Sequence, residues 1–288
     1  MPELPEVETL VRELNRVLKG RTTTRVKAHV PKAILPSTPA GFARRLKGRS
    51  ITGVSRRAKI IIIALDDGHF LLVHLKMTGQ LLFVPAEGAM VIGGHPQRHG
   101  AVDLPNNYTR AEFYFTDGAA LFFNDLRKFG WLRLVTAEAK QFLLAQHGIE
   151  PLSRQFTLGV FQELMARYPN RTIKQTLLDQ KLVAGLGNIY VDEACFMAGV
   201  LPTRRVVSLS NEELARLHRE IVAVLRLSIR KKGTSARNYL RSDGTRGGFM
   251  AFLNVYGRGK EPCRRCGQPL TKIQHAGRGT HFCMHCQK

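Results

Sequence analysis

Residues 263–286 read C-R-R-C-G-Q-P-L-T-K-I-Q-H-A-G-R-G-T-H-F-C-M-H-C. Cys263 and Cys266 form one Cys-x2-Cys pair, Cys283 and Cys286 a second, and 16 residues separate the pairs, the length of a hairpin. Paired knuckles at this spacing suit tetrahedral coordination of Zn2+ by four thiolates. Four protein ligands leave no open position, so one structural Zn2+ is expected. Metal binding to such a unit supplies roughly 10–16 kcal/mol of apparent free energy, enough to order a hairpin with little core of its own. Arg264, Arg265, Lys272, Arg278 and Lys288 surround the ligands, with no acidic residue from Cys263 onward, so the hairpin is expected to grip phosphate. His275, His281 and His285 fit the ligand spacing less well and are expected at the surface. Cys195 stands apart, and the crowding of the other cysteines argues for a metal site over a disulfide framework.

The basic character extends over the whole chain. Its 288 residues carry 44 Lys and Arg against 22 Asp and Glu, a formal charge of +22. An excess this large repels itself unless a partner neutralises it, which points to a polyanion, nucleic acid first. Charge that serves only solubility is the blander alternative. The longest apolar run, residues 60–65, is too short to span a bilayer, and the acidic opening M-P-E-L-P-E is no export signal. A cytoplasmic protein with no membrane partner is expected.

Leu4, Val7, Val11, Leu14 and Leu18 recur at helical spacing, and Gly20 ends that helix, which is expected to pack against a sheet. From there to about Val135 the text is strand-like. Residues 59–65 and 69–75 flank Asp67-Gly68, and 110–115 and 120–124 flank Asp117-Gly118. A β-sandwich or flattened barrel is expected. The stretch 85–107, with three prolines, four glycines and no sustained period, reads as a long surface loop.

Near Gly148-Ile149-Glu150-Pro151 the period changes to helical, marking a hinge. Helical text runs over 156–168 and 173–183, breaks at Gly185-Leu186-Gly187-Asn188 and resumes over 189–198, predicting two helices joined by a glycine-bearing turn. Ser210 and Glu213 form a capping box before a long amphipathic helix that ends near Gly233. Between Arg226 and Gly248 seven basic residues face one acid, Asp243. That stretch suits contact with phosphate or a ligand, and composition fits a basic linker nearly as well.

Pro2 becomes a secondary amine at the head of the first helix once Met1 is removed. An α-amino group titrates at about 7.7–8.0, so a useful fraction is neutral and nucleophilic near neutral pH. Such an amine attacking C1′ of a deoxyribose displaces the base and leaves a cationic iminium, which eases loss of the 3′ phosphate. Glu3 is placed to act as general acid, and Glu6, one turn on, to orient the terminus. Taken alone, a proline and glutamates in a first helical turn are equally what capping and the helix dipole favour.

Four stretches together resemble the formamidopyrimidine-DNA glycosylase family over nearly the whole chain. P-E-L-P-E-V-E-T at 2–9 resembles its catalytic N-terminus and R-R-A-K at 56–59 its catalytic-lysine strand. L-L-D-Q-K-L-V-A-G-L-G-N-I-Y-V-D-E-A at 177–194 resembles its helix–two-turn–helix, and the cysteine hairpin completes the set. The resemblance implies an α+β, two-domain fold: an N-terminal helix plus β-sandwich over 1–135, a hinge over 136–152, a helical helix–two-turn–helix domain over 153–260, and a β-hairpin zinc finger over 261–288.

The same resemblance implies roles for single residues. Pro2 forms the Schiff base, Glu3 donates the proton, Glu6 assists, Lys59 contacts phosphate and serves in the first elimination, and Arg278 serves in the second. Asn188 and Lys174 contact the DNA backbone. Met77, Arg127 and Phe129 fill the space left by a flipped nucleotide, although without the resemblance Met77 and Phe129 read as core residues at strand ends. The stretch 234–249 corresponds to a lesion-recognition loop. The implied partner is damaged double-stranded DNA, the implied activity excision of oxidised purines followed by β,δ-elimination, and the expected state a monomer in the bacterial cytoplasm. Leu126, Lys128 and Lys76 depart from the family's usual proline, arginine and glycine. Two alternatives stand beside this reading: a sister glycosylase for oxidised pyrimidines, and a damage-binding protein without catalysis.

Overall fold

The structure, a computed structural model, describes residues 1–94, 103–234 and 248–288. It divides into two compact units, Met1–Ala145 with Lys232–Gly248, and Gln146–Lys231 with Phe249–Lys288. Most of the stretch expected as a lesion-recognition loop, 235–247, lies outside the described residues.

The first unit is a helix-flanked β-sandwich. Its strands are β1 (Thr23–Ala28), β2 (Ile51–Arg57), β3 (Ile60–Leu65), β4 (Phe70–His74), β5 (Gly79–Val84), β6 (Val91–Gly94), β7 (Thr109–Phe115), β8 (Ala120–Asp125) and β9 (Trp131–Val135). They form a five-stranded sheet, β1-β7-β8-β5-β6, and a four-stranded sheet, β2-β3-β4-β9, antiparallel throughout. Alternation places Leu81, Phe83, Phe113, Leu121 and Phe123 of one sheet and Ile61, Ile63, Leu71 and Val73 of the other in one core. Helix α1 (Leu4–Leu18) adds Val7, Leu10, Val11, Leu14 and Leu18 to that core. Each such side chain contributes about 1.5–3 kcal/mol of burial. Strand β3 is apolar on both faces because Ile60 and Ile62 point away from the core, into a second cluster that includes Leu143 and Leu144. Those leucines belong to α3 (Ala137–Ala145), a helix where a hinge was expected.

Two further departures from the sequence reading have local causes. Thr38 caps Gly41 N–H and opens a short helix, α2 (Pro39–Leu46), inside text that looked strand-like. The stretch 85–107 is not loop throughout, since β6 extends the sheet by pairing Val91 with Phe83 and Gly94 with Gln80. Gly93 permits this, because a Cβ there would lie 2.1 Å from Leu10 Cδ1 of α1. Of the same stretch, 95–102 lies outside the described residues.

The second unit holds α4 (Leu158–Ala166), α5 (Ile173–Leu178), α6 (Asn188–Ala198), α7 (Asn211–Arg230) and the hairpin of β10 (Thr271–His275) and β11 (Arg278–Phe282). Helix α5 starts from a Thr172–Gln175 capping box and stops at Leu178, short of the expected 183. The Ser210–Glu213 box opens α7 as the spacing predicted. Helices α4 to α7 share one core through Phe161, Leu177, Tyr190, Leu217 and Ile221. Glu193 of α6 lies fully buried and accepts hydrogen bonds from the backbone N–H groups of Asn254, Val255 and Tyr256 at 2.8–2.9 Å. Burial pushes its carboxyl up, against the pull of those donors. Among the described residues no helix is long and apolar enough to cross a membrane.

Candidate active site and nucleic-acid interface

Helix α1 is fixed to β2 at two points. Asn15 Oδ1 accepts from Val54 N–H at 2.8 Å, and Glu8 Oε2 accepts from Arg56 Nε at 2.6 Å. Going backward along the helix from Asn15 to Glu8 therefore matches going forward along β2 from Val54 to Arg56. Continuing in that direction, Glu3 lies about 7.5 Å beyond Glu8 at 1.5 Å per helical residue. Beyond Arg56 the strand ends at Arg57, which pairs with Ile60, so Ala58 and Lys59 form the turn at the tip of the β2–β3 hairpin. The head of α1 and the β2–β3 turn thus emerge at the same end of the unit. Ala58 adopts φ +54 in that turn, and Lys59 follows it, 5% exposed. Pro2 is half-buried, while Glu3 and Glu6 are buried. Glu6 Oε2 accepts from Glu3 N–H at 3.0 Å, and its Oε1 accepts from Thr234 N–H at 2.8 Å and from Thr234 Oγ1 at 2.9 Å.

At one corner of the sandwich the chain crosses between sheets twice, from β4 to β5 and from β8 to β9. The first crossing carries Met77, the second Arg127 and Phe129. Asp125, fully buried, stitches the two together: it accepts from Thr78 Oγ1, from Arg127 N–H at 3.2 Å and from Gly130 N–H at 2.6 Å. Thr78 Oγ1 in turn accepts from Arg127 N–H at 3.0 Å. On this rigid base Met77, Leu126 and Phe129 stand 39%, 51% and 52% exposed, so they are not core residues. The Arg127 guanidinium lies 4.7 Å from the centre of the Phe129 ring. Lys76 takes φ +50 and Lys128 φ +59, which explains why glycine suits position 76. Thr78 and Asp125 escaped the sequence reading, because nothing in a lone threonine or a strand-end aspartate announces a buried brace.

In the second unit the break between α5 and α6 is organised by Gln180. Its side chain donates to Leu178 O and Leu186 O and accepts from Gly185 N–H. Gly187 caps α6, and Asn188 opens it. Asn188 Nδ2 donates to Gly279 O at 2.8 Å, whereas Asn188 Oδ1 is buried without a hydrogen-bond partner among the described residues. Gly279 follows Arg278, which is exposed at the start of β11. Asn188 is therefore tied to the residue next to Arg278, 91 positions along the chain.

Lys174 corrects an expectation. It is not presented to a phosphate: its side chain is completely buried, with Nζ 2.6 Å from Asp192 Oδ1 and 3.1 Å from Gly279 O. An ammonium sealed from water and already paired braces the hairpin that carries Arg278. His281 is also buried, not superficial as expected, and its backbone N–H reaches Asp192 Oδ2 at 2.9 Å. His275 is half-buried, with Nε2 2.9 Å from Thr172 Oγ1. The D-E pair at 192–193 gave the one available signal, two acids one turn into an apolar helix.

The four thiols of Cys263, Cys266, Cys283 and Cys286 lie within 4.8 Å of one another. Sγ separations are 3.9 Å for Cys263 to Cys286 and 3.5 Å for Cys266 to Cys283. Ligands about 2.3 Å from a tetrahedral zinc stand roughly 3.8 Å apart, so the donor set fits one zinc ion. The apolar cluster beneath it comprises only Phe196, Val255, Leu270 and two of the cysteines among the described residues. Cys195 is fully buried, and burial together with the charge of Asp192 pushes its thiol far up, which makes it inert.

A helix-flanked sandwich, a glycine-broken helix pair and a four-cysteine hairpin define a helix–two-turn–helix protein with a terminal zinc finger. Residues 1–132 match the formamidopyrimidine-DNA glycosylase N-terminal domain, 147–239 the formamidopyrimidine-DNA glycosylase H2TH domain, and 260–288 the zinc finger found in FPG and IleRS. The formamidopyrimidine-DNA glycosylase of an Exiguobacterium species is 42% identical, with 100% of both chains covered. That of Bacillus subtilis is 40% identical over 100% of this chain and 99% of its own. Among solved structures, a Lactococcus lactis FPG mutant in complex with a Fapy-dG containing DNA gives a TM-score of 0.87 at 34% identity, with 100% of both chains covered. Lactococcus lactis Fpg in complex with an abasic site containing DNA gives 0.86 at 34% identity, with 99% of each covered. The chain belongs to the formamidopyrimidine-DNA glycosylase family.

Proposed function

We propose that this protein is a bifunctional DNA glycosylase and lyase that excises oxidised purines, 8-oxoguanine and formamidopyrimidines, from double-stranded DNA. The observation that carries this reading is the shared exit of the α1 head, with Pro2 and Glu3, and of the turn that carries Lys59. The DNA complexes of its relatives supply the substrate class.

With Met1 attached the Pro2 nitrogen is an amide, so the chemistry requires its removal. The free nitrogen then attacks C1′, the bond from C1′ to the base breaks, and Glu3 delivers the proton that the departing base needs. Loss of the nitrogen's proton and opening of the sugar ring leave an iminium. Removal of a C2′ proton breaks the C3′–O bond and releases the 3′ phosphate, with Lys59 contacting the backbone and serving as acid. Arg278 grips the phosphates flanking the lesion and serves the second elimination, which breaks the C5′–O bond. Met77, Arg127 and Phe129 occupy the gap left by the flipped nucleotide. Asn188, at the head of α6, binds a backbone phosphate. The zinc ion holds the finger in shape and takes no part in bond breaking. The protein acts as a monomer in the bacterial cytoplasm.

Borohydride trapping tests the reading. Zinc-loaded protein lacking Met1 is incubated with duplexes carrying 8-oxoguanine or an oxidised thymine, with and without reductant. The expected result is a covalent adduct formed in preference with the 8-oxoguanine duplex and abolished by Pro2→Gly. Absence of any adduct identifies a silent binding protein, and preference for the oxidised thymine identifies the sister activity.

A further inference from the structure

Glu6 and Thr234 stand 228 residues apart and meet within the first unit. Thr234 is 5% exposed and Glu6 7%. The Glu6 carboxylate is shared: Oε1 holds both the N–H and the hydroxyl of Thr234, while Oε2 holds Glu3 N–H. Gly233, at φ +82, is built around the same carboxylate, since a Cβ there would stand 3.0 Å from Glu6 Oε1. Thr234 also bridges to Gly248, so two chain segments are pinned at this point. A carboxylate with both oxygens held by fixed donors has few rotamers left to it.

We infer that Thr234 is a positioning residue for the Pro2 nucleophile, acting through Glu6. The inference rests on the proposed Schiff-base chemistry and adds a residue to it. Glu3 N–H belongs to the peptide plane that joins Pro2 to Glu3, and that plane is rigid. Fixing this N–H fixes the plane and with it the Pro2 Cα. One torsion, about the Cα–C bond of Pro2, then separates the clasp from the ring nitrogen. Thr234 sets the Glu6 carboxylate, Glu6 sets the Glu3 peptide, and the peptide sets the nitrogen. Misplacement of a nucleophile by about 1 Å costs on the order of a hundredfold in rate, so a modest loosening of the clasp is measurable.

The test separates this role from recognition of the damaged base. Single-turnover trapping is measured on a duplex with a preformed abasic site, which has no base to recognise. Thr234→Val keeps the shape and the backbone N–H and removes the hydroxyl. It is expected to slow trapping about threefold to tenfold. Thr234→Ser, which keeps the hydroxyl, is expected to restore the rate. In a Glu6→Gln background the Thr234→Val change is expected to shift the rate by less than about 1.5-fold, because the path it acts through is already broken. Hydrogen exchange of the Glu3 amide gives a readout independent of catalysis, expected to quicken in Thr234→Val by a factor similar to the slowing of trapping. Thr234→Val that slows excision of 8-oxoguanine but leaves abasic trapping and Glu3 exchange unchanged would overturn the inference, as would additive effects in the double variant. Wild-type protein that never traps defeats the catalytic reading instead, and Glu3 exchange then still decides whether the clasp exists.

Discussion

The first unit rests on a broad apolar core with the Glu8–Arg56 pair at its margin, whereas the end of the second unit has a small apolar cluster, a buried ion pair and a metal site. Glu8 and Arg56, which tie α1 to β2, remain 19% and 9% exposed, above a core that runs from Val7 to Leu134. Lys174 and Asp192 are both 0% exposed, and the neighbouring finger has a small apolar cluster and a site for zinc. A distributed core tolerates the loss of any one polar contact. A hairpin braced by a metal and one buried pair depends on each of them. The arrangement suits the proposed chemistry, because Arg278 needs a fixed direction from a hairpin too small to hold one by packing.

Stripping the metal sharpens this contrast most. Chelation of the whole protein is expected to remove roughly 10–16 kcal/mol of apparent binding energy and unfold the hairpin, while the sandwich survives. Amide exchange should rise across 263–286 and stay low in β3, β4 and β8. Continued protection of the hairpin after metal analysis shows zinc to be gone would remove the contrast.

Breaking the buried pair comes next in size. Lys174→Met leaves the Asp192 carboxylate buried without its cation, at an expected cost of about 3–5 kcal/mol in urea unfolding. Lys174→Met with Asp192→Leu should recover part of that, not all, since His281 N–H also depends on Asp192. A loss below about 1 kcal/mol in the single variant would make the pair equivalent to a surface one.

How much of this was legible beforehand follows from the range of the interactions. Chemistry written in local spacing was readable: the cysteine pairs, the α1 period, the Ser210–Glu213 box and the glycine break before Asn188. The wedge residues needed a family resemblance, because Met77 and Phe129 look like strand-end core until the corner that exposes them is seen. The phosphate contact that the resemblance implied for Lys174 is at odds with its complete burial, which no local pattern announces. Its partner lies 18 residues on and its second acceptor 105 residues on, distances at which no periodicity speaks. The Glu6–Thr234 clasp was hidden for the same reason. Strand β6 was missed because four residues ending in two glycines have no strand signature, and only the close approach of α1 explains them.

The smallest expected effect tests the other half of the contrast, that the first unit's ion pairs are peripheral. Partial burial works against ionisation of Glu8, yet Arg56 and Arg12 outweigh it and hold the carboxyl below its ordinary value of 4.5. Folding therefore favours the charged form. The stabilisation is complete above the ordinary value and is lost as pH falls through the lowered folded value. Comparing urea unfolding of the wild type with Glu8→Gln isolates this group from the other carboxylates that titrate in the same range. The difference is expected to be about 1 kcal/mol or less near neutral pH and to shrink as pH falls below 4.5. If it instead reached several kcal/mol, the α1 head would hang on its salt bridge more than on Leu14 and Val11. The first unit would then resemble the second in the way it is held.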